Sequence, residues 1–267
     1  MTEAEPTKLR LGGMALRNGL LVHGPTHWAA AIRAPDEEIR VASGPKPRTR
    51  ALDGVPGLRG LVRLGEAFAV IPLVKRALPD ARLPFQDVSV VAVAAGAATV
   101  GTLARRRLRG AAGEAAAAGA SLAPALFALQ GGELAAYHGV EHKAIAAYEQ
   151  GATDAAHAAK EHDRCGSNLV APMIAANLAG AALMRRVVER PGPMANAAVS
   201  LGAVAAAVEV FGWAERHGDT RAARALRRPG FELQRAMGTR EPDERQLEVG
   251  RAALAEILRV ESATGAA

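Results

Sequence analysis

Two histidines and a glutamate in one short segment have the spacing of a metal site. His138, Glu141 and His142 form a His-x-x-Glu-His pattern within residues 137–143. On a helix, residues four apart lie on the same face, so both imidazoles can bind one ion. This is the inverted zinc-protease spacing, in which a carboxylate beside the pair takes a proton from bound water. The segment predicts zinc, or another divalent metal, on His138 and His142, with Glu141 as the catalytic base.

His162 and Cys165 are the next candidate ligands. Cys165 is the only cysteine, and it follows the histidine pair by about two dozen residues. Both side chains could reach the metal if the loop before them folds back over the helix. Three protein ligands and a water suit catalysis, whereas four ligands suit a structural clamp. With four ligands Glu141 would lose its catalytic role, and the sequence leaves both alternatives open.

Glu149 and Tyr137 are predicted to support the site rather than bind the metal. Glu149 follows His138 by about three helical turns, which places it ~10 Å beyond His142 on a straight helix. At that distance it could contact substrate or hold His162 from behind. Tyr137 could supply a hydroxyl, although packing is the favoured interpretation.

Four long uncharged runs indicate membrane helices. They cover residues 88–104, 115–132, 165–184 and 191–208, and each is 17 to 20 residues long. Crossing a bilayer takes about 20 apolar residues. The runs are rich in alanine, and aromatic residues make up only 3% of the chain. A soluble bundle of Ala-rich helices is therefore the alternative.

The fold class predicted is mainly α: a multi-pass helical membrane protein with a small β-containing N-terminal head and a C-terminal amphipathic helix. The divisions expected along the chain are a β-rich head (1–57), an amphipathic helix (58–87), an apolar hairpin (88–132), the metal-site helix and loop (133–167), a second apolar hairpin (168–214) and a helical tail (215–267).

Charge gives the expected partners and the expected side of the membrane. The net charge is +6, and the head with its amphipathic helix (1–87), the histidine segment and the tail hold 26 of the 33 basic residues. Two hairpins would bring these three parts to one face, which the positive-inside tendency makes cytoplasmic. The arginines near residues 105 and 185 oppose that orientation. Nucleic-acid motifs are absent from the sequence, so membrane lipids are the expected partners, besides a substrate or protein partner that the sequence does not identify.

Several motifs together resemble a known set. They are Gly12-Gly13-Met14-Ala15, the stretch from Gly19 to Pro25, Tyr137-His138-Gly139-Val140-Glu141-His142-Lys143, Ala147-Tyr148-Glu149, His162-Asp163-Arg164-Cys165-Gly166-Ser167 and Thr239-Arg240-Glu241-Pro242-Asp243. The combination resembles the YqhQ-like family of bacterial predicted metal-dependent membrane proteins over nearly the whole chain. The resemblance implies a multi-pass membrane protein with a metal site. Met14, Asn18 and Asp163 depart from the family pattern, which has Gln, Glu and Pro there, while the candidate ligands are retained.

Two functions fit these observations. The first is a metal-dependent hydrolase in which Glu141 activates water for attack on an acyl bond. The second is a non-enzymatic membrane scaffold or regulator whose metal ties the loop to the helix. A soluble helical binding protein is a third possibility, which predicts recovery without detergent.

Overall fold

The N-terminal head is a four-stranded antiparallel sheet. The computed structural model describes residues 8–49, 59–108, 110–130, 132–152, 155–188 and 191–265, so residues 1–7 and 50–57 of the expected head lie outside the described residues. The strands are β1 (Gly12–Leu16), β2 (Gly19–His23), β3 (His27–Arg33) and β4 (Ile39–Pro45), in that order across the sheet. Connections of two to five residues join them, as expected for a meander.

Helices α5 (Glu133–Gln150) and α9 (Glu244–Ala263) pack together on one face of this sheet. The core between them contains Leu20, Val22, Val140 and Ile257, all fully buried. Helix α9 begins with a capping box, in which Asp243 accepts from the Gln246 backbone and the Gln246 side chain accepts in return. The C-terminal amphipathic helix is thus a structural part of the head.

The opposite face of the sheet is covered by α1 (Arg59–Ala77). Val70, Val74 and Leu78 recur every four residues and are buried against Leu16 and Ile32 of the sheet. Only the second half of α1 is buried in this way. The first half runs toward the apolar helices and leaves Phe68 54% exposed.

In the described parts of the chain, four segments are long and apolar enough to cross a membrane: Val88–Arg107, Ala112–Leu129, Gly166–Val187 and Met194–Arg216. They correspond to α2 (Val88–Arg107), α3 (Ala111–Ser121) with α4 (Ala123–Leu129), α6 (Val170–Val187) and α7 (Pro193–Arg216). At most 17% of any of these windows is buried inside the protein. Apolar helices with so much exposed surface need lipid around them. The predicted fold class, mainly α with four candidate spans and a β head, is confirmed.

Both hairpins are tied to the head by ion pairs. Asp87, just before α2, pairs with Arg17 of the head, and Glu215 at the end of α7 pairs with Arg10. At the other end of the bundle, buried Glu114 of α3 pairs with Arg105 of α2 at 3.0 Å and with Arg185 of α6 at 3.4 Å. Glu114 therefore compensates part of the basic charge that opposed the expected orientation.

Two further segments close over α5. The first, residues 155–169, contains the short 3-10 turns Ala155–His157 and Gly166–Leu169. The second is α8 (Arg221–Leu233), which continues into a π-helical turn, Gln234–Gly238. Single π turns are rare and are frequently found at functional sites.

Candidate metal centre

Helix α5 presents polar side chains inside the protein. Thirteen of its 18 residues are buried, and among them are Glu141, His142 and Lys143. The helix ends at Gly151, whose φ of +68° gives the left-handed C-cap that glycine adopts without strain. A buried polar side chain must have a partner, because burial without one costs free energy. The partners of these three side chains therefore define the site.

The structure brings His138, His142 and Cys165 together. Their candidate ligand atoms all lie within 4.8 Å of one another, and Cys165 Sγ is 3.3 Å from His138 Nε2. In a tetrahedral zinc site with ordinary bond lengths, a nitrogen and a sulfur ligand are about 3.5 Å apart. This group could hold a metal ion.

Backbone carbonyls fix the tautomers of both histidines. His138 Nδ1 lies 2.7 Å from Gly238 O, and His142 Nδ1 lies 2.6 Å from Lys160 O. A carbonyl can only accept, so each Nδ1 must carry the hydrogen. Each Nε2 is then a lone-pair donor, and the rings lie with their centroids 4.3 Å apart. Metal-binding histidines are usually oriented by such a second hydrogen bond.

His142 Nε2 is buried and has no hydrogen-bond partner among the described residues, and the whole residue is 2% exposed. Burial lowers the pKa of His142 to about 2, with the neighbouring His138 acting in the same direction, so the ring is neutral. Burial also raises the pKa of the Cys165 thiol, which the Ser167 hydrogen bonds oppose. An unpartnered nitrogen and a buried sulfur are the groups that a metal cation would satisfy.

Glu141 lies next to this cluster, against β1. A Cβ placed on Gly13 would come within 2.8 Å of the Glu141 carboxyl carbon and Oε1, so only glycine leaves room for the carboxylate there. Burial raises the pKa of Glu141 to about 7, while His138 lowers it and Cys165 raises it further. A carboxyl group with a pKa near neutrality can accept and release a proton under physiological conditions.

His162 lies beside the cluster and its ring nitrogens have other partners. The Arg164 N–H donates to His162 Nδ1 at 3.2 Å, so Nε2 carries the hydrogen and donates to Glu149 Oε2 at 3.1 Å. The ring centroid is 5.7 Å from that of His142. Glu149 thus holds His162 and also pairs with Arg164. In this arrangement His162 could bind the metal only after exchanging its bond to Glu149, so its role as a ligand stays a prediction.

Tyr137 faces away from the cluster. It is 5% exposed and packs in the core with Leu20 and Val140. Burial raises the pKa of its hydroxyl, and a hydrogen bond with Arg33 opposes that shift. Its placement agrees with packing rather than with a contact to the metal.

Lys143 was not singled out from the sequence, although it follows His142 directly. Its Nζ is 2.8 Å from both Ala156 O and Ala158 O, and 2.7 Å from Glu241 Oε1. The residue is 3% exposed. Lys143 therefore connects the 155–160 loop to Glu241, in the segment after the π turn. The same loop contains Lys160, whose carbonyl orients His142. The sequence feature that could have identified Lys143 is a lysine on an otherwise buried face of a helix, because lysine is almost never fully buried without a partner.

The π turn was also missed. Fully buried Gln234 accepts from His162 N at 2.8 Å and donates to Ser167 Oγ at 2.8 Å, which fixes the loop on both sides of Cys165. Gly238 ends the same turn and accepts from His138. Gly139 allows this approach, because a Cβ there would lie 2.4 Å from Arg240 O.

Fold and site together define a helical protein with four helices long enough to cross a membrane and a His/His/Cys group able to hold a metal ion. Residues 133–260, which include the whole site except Gly13, match a protein family of unknown function, DUF1385. The match agrees with the resemblance to an uncharacterised family, while the YqhQ-like assignment stays a prediction. No curated protein and no solved structure matches the chain.

Proposed function

We propose that the protein is a membrane-embedded, zinc-dependent hydrolase whose metal ligands are His138, His142 and Cys165. The observation that carries the proposal is the pair of Nδ1–H bonds to Gly238 O and Lys160 O, which leaves two Nε2 lone pairs directed into one buried group with the thiol. Two imidazoles and one thiolate are ligands that zinc prefers, and a set of three leaves a coordination position for water or substrate.

When bound, zinc would acidify a water molecule and polarise the bond under attack. Glu141 would take the proton at a carboxylate oxygen, because it is the acidic side chain of α5 that lies beside both His138 and Cys165. It would later return that proton to the leaving group, which a pKa near 7 permits. Gly13 leaves room for this carboxylate, because a Cβ at that position would collide with it.

The other residues would position the ligands. Lys143 and Gln234 hold the two loop segments that supply the Lys160 carbonyl and the Cys165 thiol. Glu149 holds His162 at the edge of the cluster. We place the site, the head with its amphipathic helix (1–87) and the tail on the cytoplasmic face, on the basis of the 26 basic residues that these parts contain.

A structural metal site in a membrane scaffold is the second candidate, and the position of His162 favours it. If His162 exchanged Glu149 for the metal, four ligands would close the coordination sphere. The metal would then tie α5 to the start of the second hairpin, and Glu141 would have no water to activate.

Hydrolysis of a generic activated ester, p-nitrophenyl acetate, by detergent-purified protein separates the two candidates. For a hydrolase, Glu141→Gln keeps its zinc and loses activity by about 10²–10⁴-fold, the usual contribution of a general base. His162→Ala keeps both zinc and activity. A scaffold predicts the reverse pattern: no zinc-dependent ester hydrolysis in the parent, and loss of zinc from His162→Ala.

A further inference from the structure

A polar cleft of about 830 Å³ lies beside the candidate metal centre. Its walls come from the N-terminal segment, the end of α5, the 159–164 loop, the end of α7 and α8. His162 lines the cleft, and its ring is 5.7 Å from that of His142. A molecule in the cleft would therefore lie one side chain away from the cluster.

The acidic side chains of the cleft already have basic partners. Glu149 pairs with His162 and Arg164, Glu215 with Arg10 and Arg164, Asp163 with Arg227, and Glu161 with Lys160. These ion pairs cancel most of the charge on the walls. The acidic groups are therefore not available to attract a cationic ligand.

Two cations of the cleft have no acidic partner among the residues that the structure describes. Lys8 Nζ donates to a backbone carbonyl, Glu149 O, at 2.7 Å, and it forms no ion pair within the described residues. Arg216 forms no ion pair with any carboxylate in the part of the chain that the structure describes, and both side chains are exposed. The surplus charge of the cleft is positive and favours an anionic ligand.

A membrane around the candidate spans would bring the cleft to the depth of the lipid headgroups. Arg216 is the last residue of α7, a candidate span, and Trp213 lies one turn before it with its ring stacked on His217 at 5.1 Å. Tryptophan and arginine at the end of a span mark the membrane interface. Helix α8 follows at once and exposes Arg221, Arg224 and Arg228, which would concentrate anionic lipids around the mouth of the cleft.

We propose that this cleft binds the headgroup of an anionic phospholipid, whose phosphate is contacted by Lys8 and Arg216. Binding itself is independent of the proposed hydrolysis. Only the further statement that such a lipid, or a molecule with the same headgroup, is the substrate rests on the proposed function. The bound headgroup would then lie next to His162, on the side of the cleft that faces His138, His142 and Cys165.

Calorimetric titration with short-chain lipids tests the binding. Chelator-treated protein in a neutral detergent is titrated with dihexanoyl phosphatidylglycerol, dihexanoyl phosphatidylcholine and inorganic phosphate. We expect the anionic lipid to bind at least about tenfold more tightly than the zwitterionic one. Lys8→Gln and Arg216→Gln should each weaken that binding about two- to fivefold, the size of one exposed charge contact. Arg216→Lys should retain it.

Arg107→Gln is the matched control, because it removes an exposed arginine at the opposite end of the bundle and should leave binding unchanged. Equal affinity for the two lipids would overturn the proposal, and so would Lys8→Gln and Arg216→Gln variants that bind like the control. Inorganic phosphate binding as tightly as the anionic lipid would overturn the lipid assignment in favour of a free anion. The protein is metal-free throughout, so the lipid-binding result does not depend on whether the protein binds zinc. A failure to bind lipid would likewise leave the proposed zinc site untouched.

Discussion

Helices α5 and α2 have nearly the same length and opposite surroundings. Thirteen of the 18 residues of α5 are buried by the protein, whereas α2 buries only Val90 and Gly101 among its 20. The polar helix is thus the interior one, and the apolar helix is the exposed one. The contrast reflects two different solvents: protein atoms surround the polar groups of α5, while the apolar surface of α2 requires lipid. The candidate metal ligands on a helix therefore lie on α5, where protein atoms and not lipid surround the polar side chains.

Removing the ammonium of Lys143 should have the largest effect. Lys143→Met leaves the carbonyls of Ala156 and Ala158 and the Glu241 carboxylate without their donor, at a cost of about 3 kcal/mol of folding stability. The loosened loop should also weaken zinc affinity about 10–100-fold, because Lys160 O then orients His142 less well. Thermal unfolding and competition with a chelating dye measure the two effects.

Lys75→Met is the matched control. The Lys75 ammonium also donates to two carbonyls, of Pro79 and Ala81 at 2.6 and 2.8 Å, but it lies at the end of α1, far from the cluster in the chain. Stability should fall less and zinc affinity should not change. Equal zinc affinity in Lys143→Met and Lys75→Met would refute the positioning role of Lys143.

The next largest effect should come from replacing a glycine by alanine in α5, compared with the same replacement in α2. Gly139→Ala places a Cβ 2.4 Å from Arg240 O in the buried helix, whereas Gly96→Ala in α2 meets nothing within 4 Å. We expect about 2 kcal/mol of destabilisation for the first, because the backbone of residues 239–241 must move away. The second should be neutral or slightly stabilising, because alanine is the better helix former. Similar melting temperatures for the two variants would contradict this contrast.

Part of the pH dependence of stability should come from the head. Burial, aided by the charge of Lys46, lowers the pKa of His23 from 6.5 to about 4. The unfolded chain therefore binds more protons between these values, so the stabilisation from His23 is complete above pH 6.5 and is lost as the pH falls toward 4. A plot of melting temperature against pH should be flatter for His23→Gln in this window. A slope that is as steep in His23→Gln as in the parent would contradict this assignment.

The smallest effect should come from the far end of the bundle. Glu114→Gln breaks the ion pairs with Arg105 and Arg185 between α3 and its neighbours. Both arginines are partly exposed, so we expect a loss of about 1 kcal/mol or less and no change in zinc content. A loss of zinc from Glu114→Gln would show that the two ends of the protein are coupled, and would contradict the independence of the metal centre from the far end of the bundle.

Local spacing predicted the parts of the site that lie close in sequence. A separation of four residues on one helix was enough to pair His138 with His142, and the lone cysteine was a reasonable third partner. The apolar run lengths likewise predicted the four candidate spans, since a span depends on its own composition.

Partners distant in the chain could not be predicted in this way. Gly238 O lies 100 residues after His138, and a carbonyl has no side-chain signature. The spacing of the motif around Arg240 and Glu241 does not reveal what these residues do. Arg240 contacts the helix through its backbone at Gly139, and Glu241 pairs with Lys143, and both contacts depend on the path of the chain. Whether His162 bonds to Glu149 or to a metal depends on the orientation of its ring, which the sequence does not specify.

Metal content is the most direct test of the proposed zinc centre. Detergent-purified parent protein, analysed by elemental mass spectrometry, should contain about one zinc per chain. His142→Ala and Cys165→Ser should lose it, while His157→Ala, at an exposed site in the neighbouring loop, should keep it. Protein that contains no metal after purification and after reconstitution with zinc, or equal zinc in His142→Ala and His157→Ala, would contradict a zinc centre on His138, His142 and Cys165.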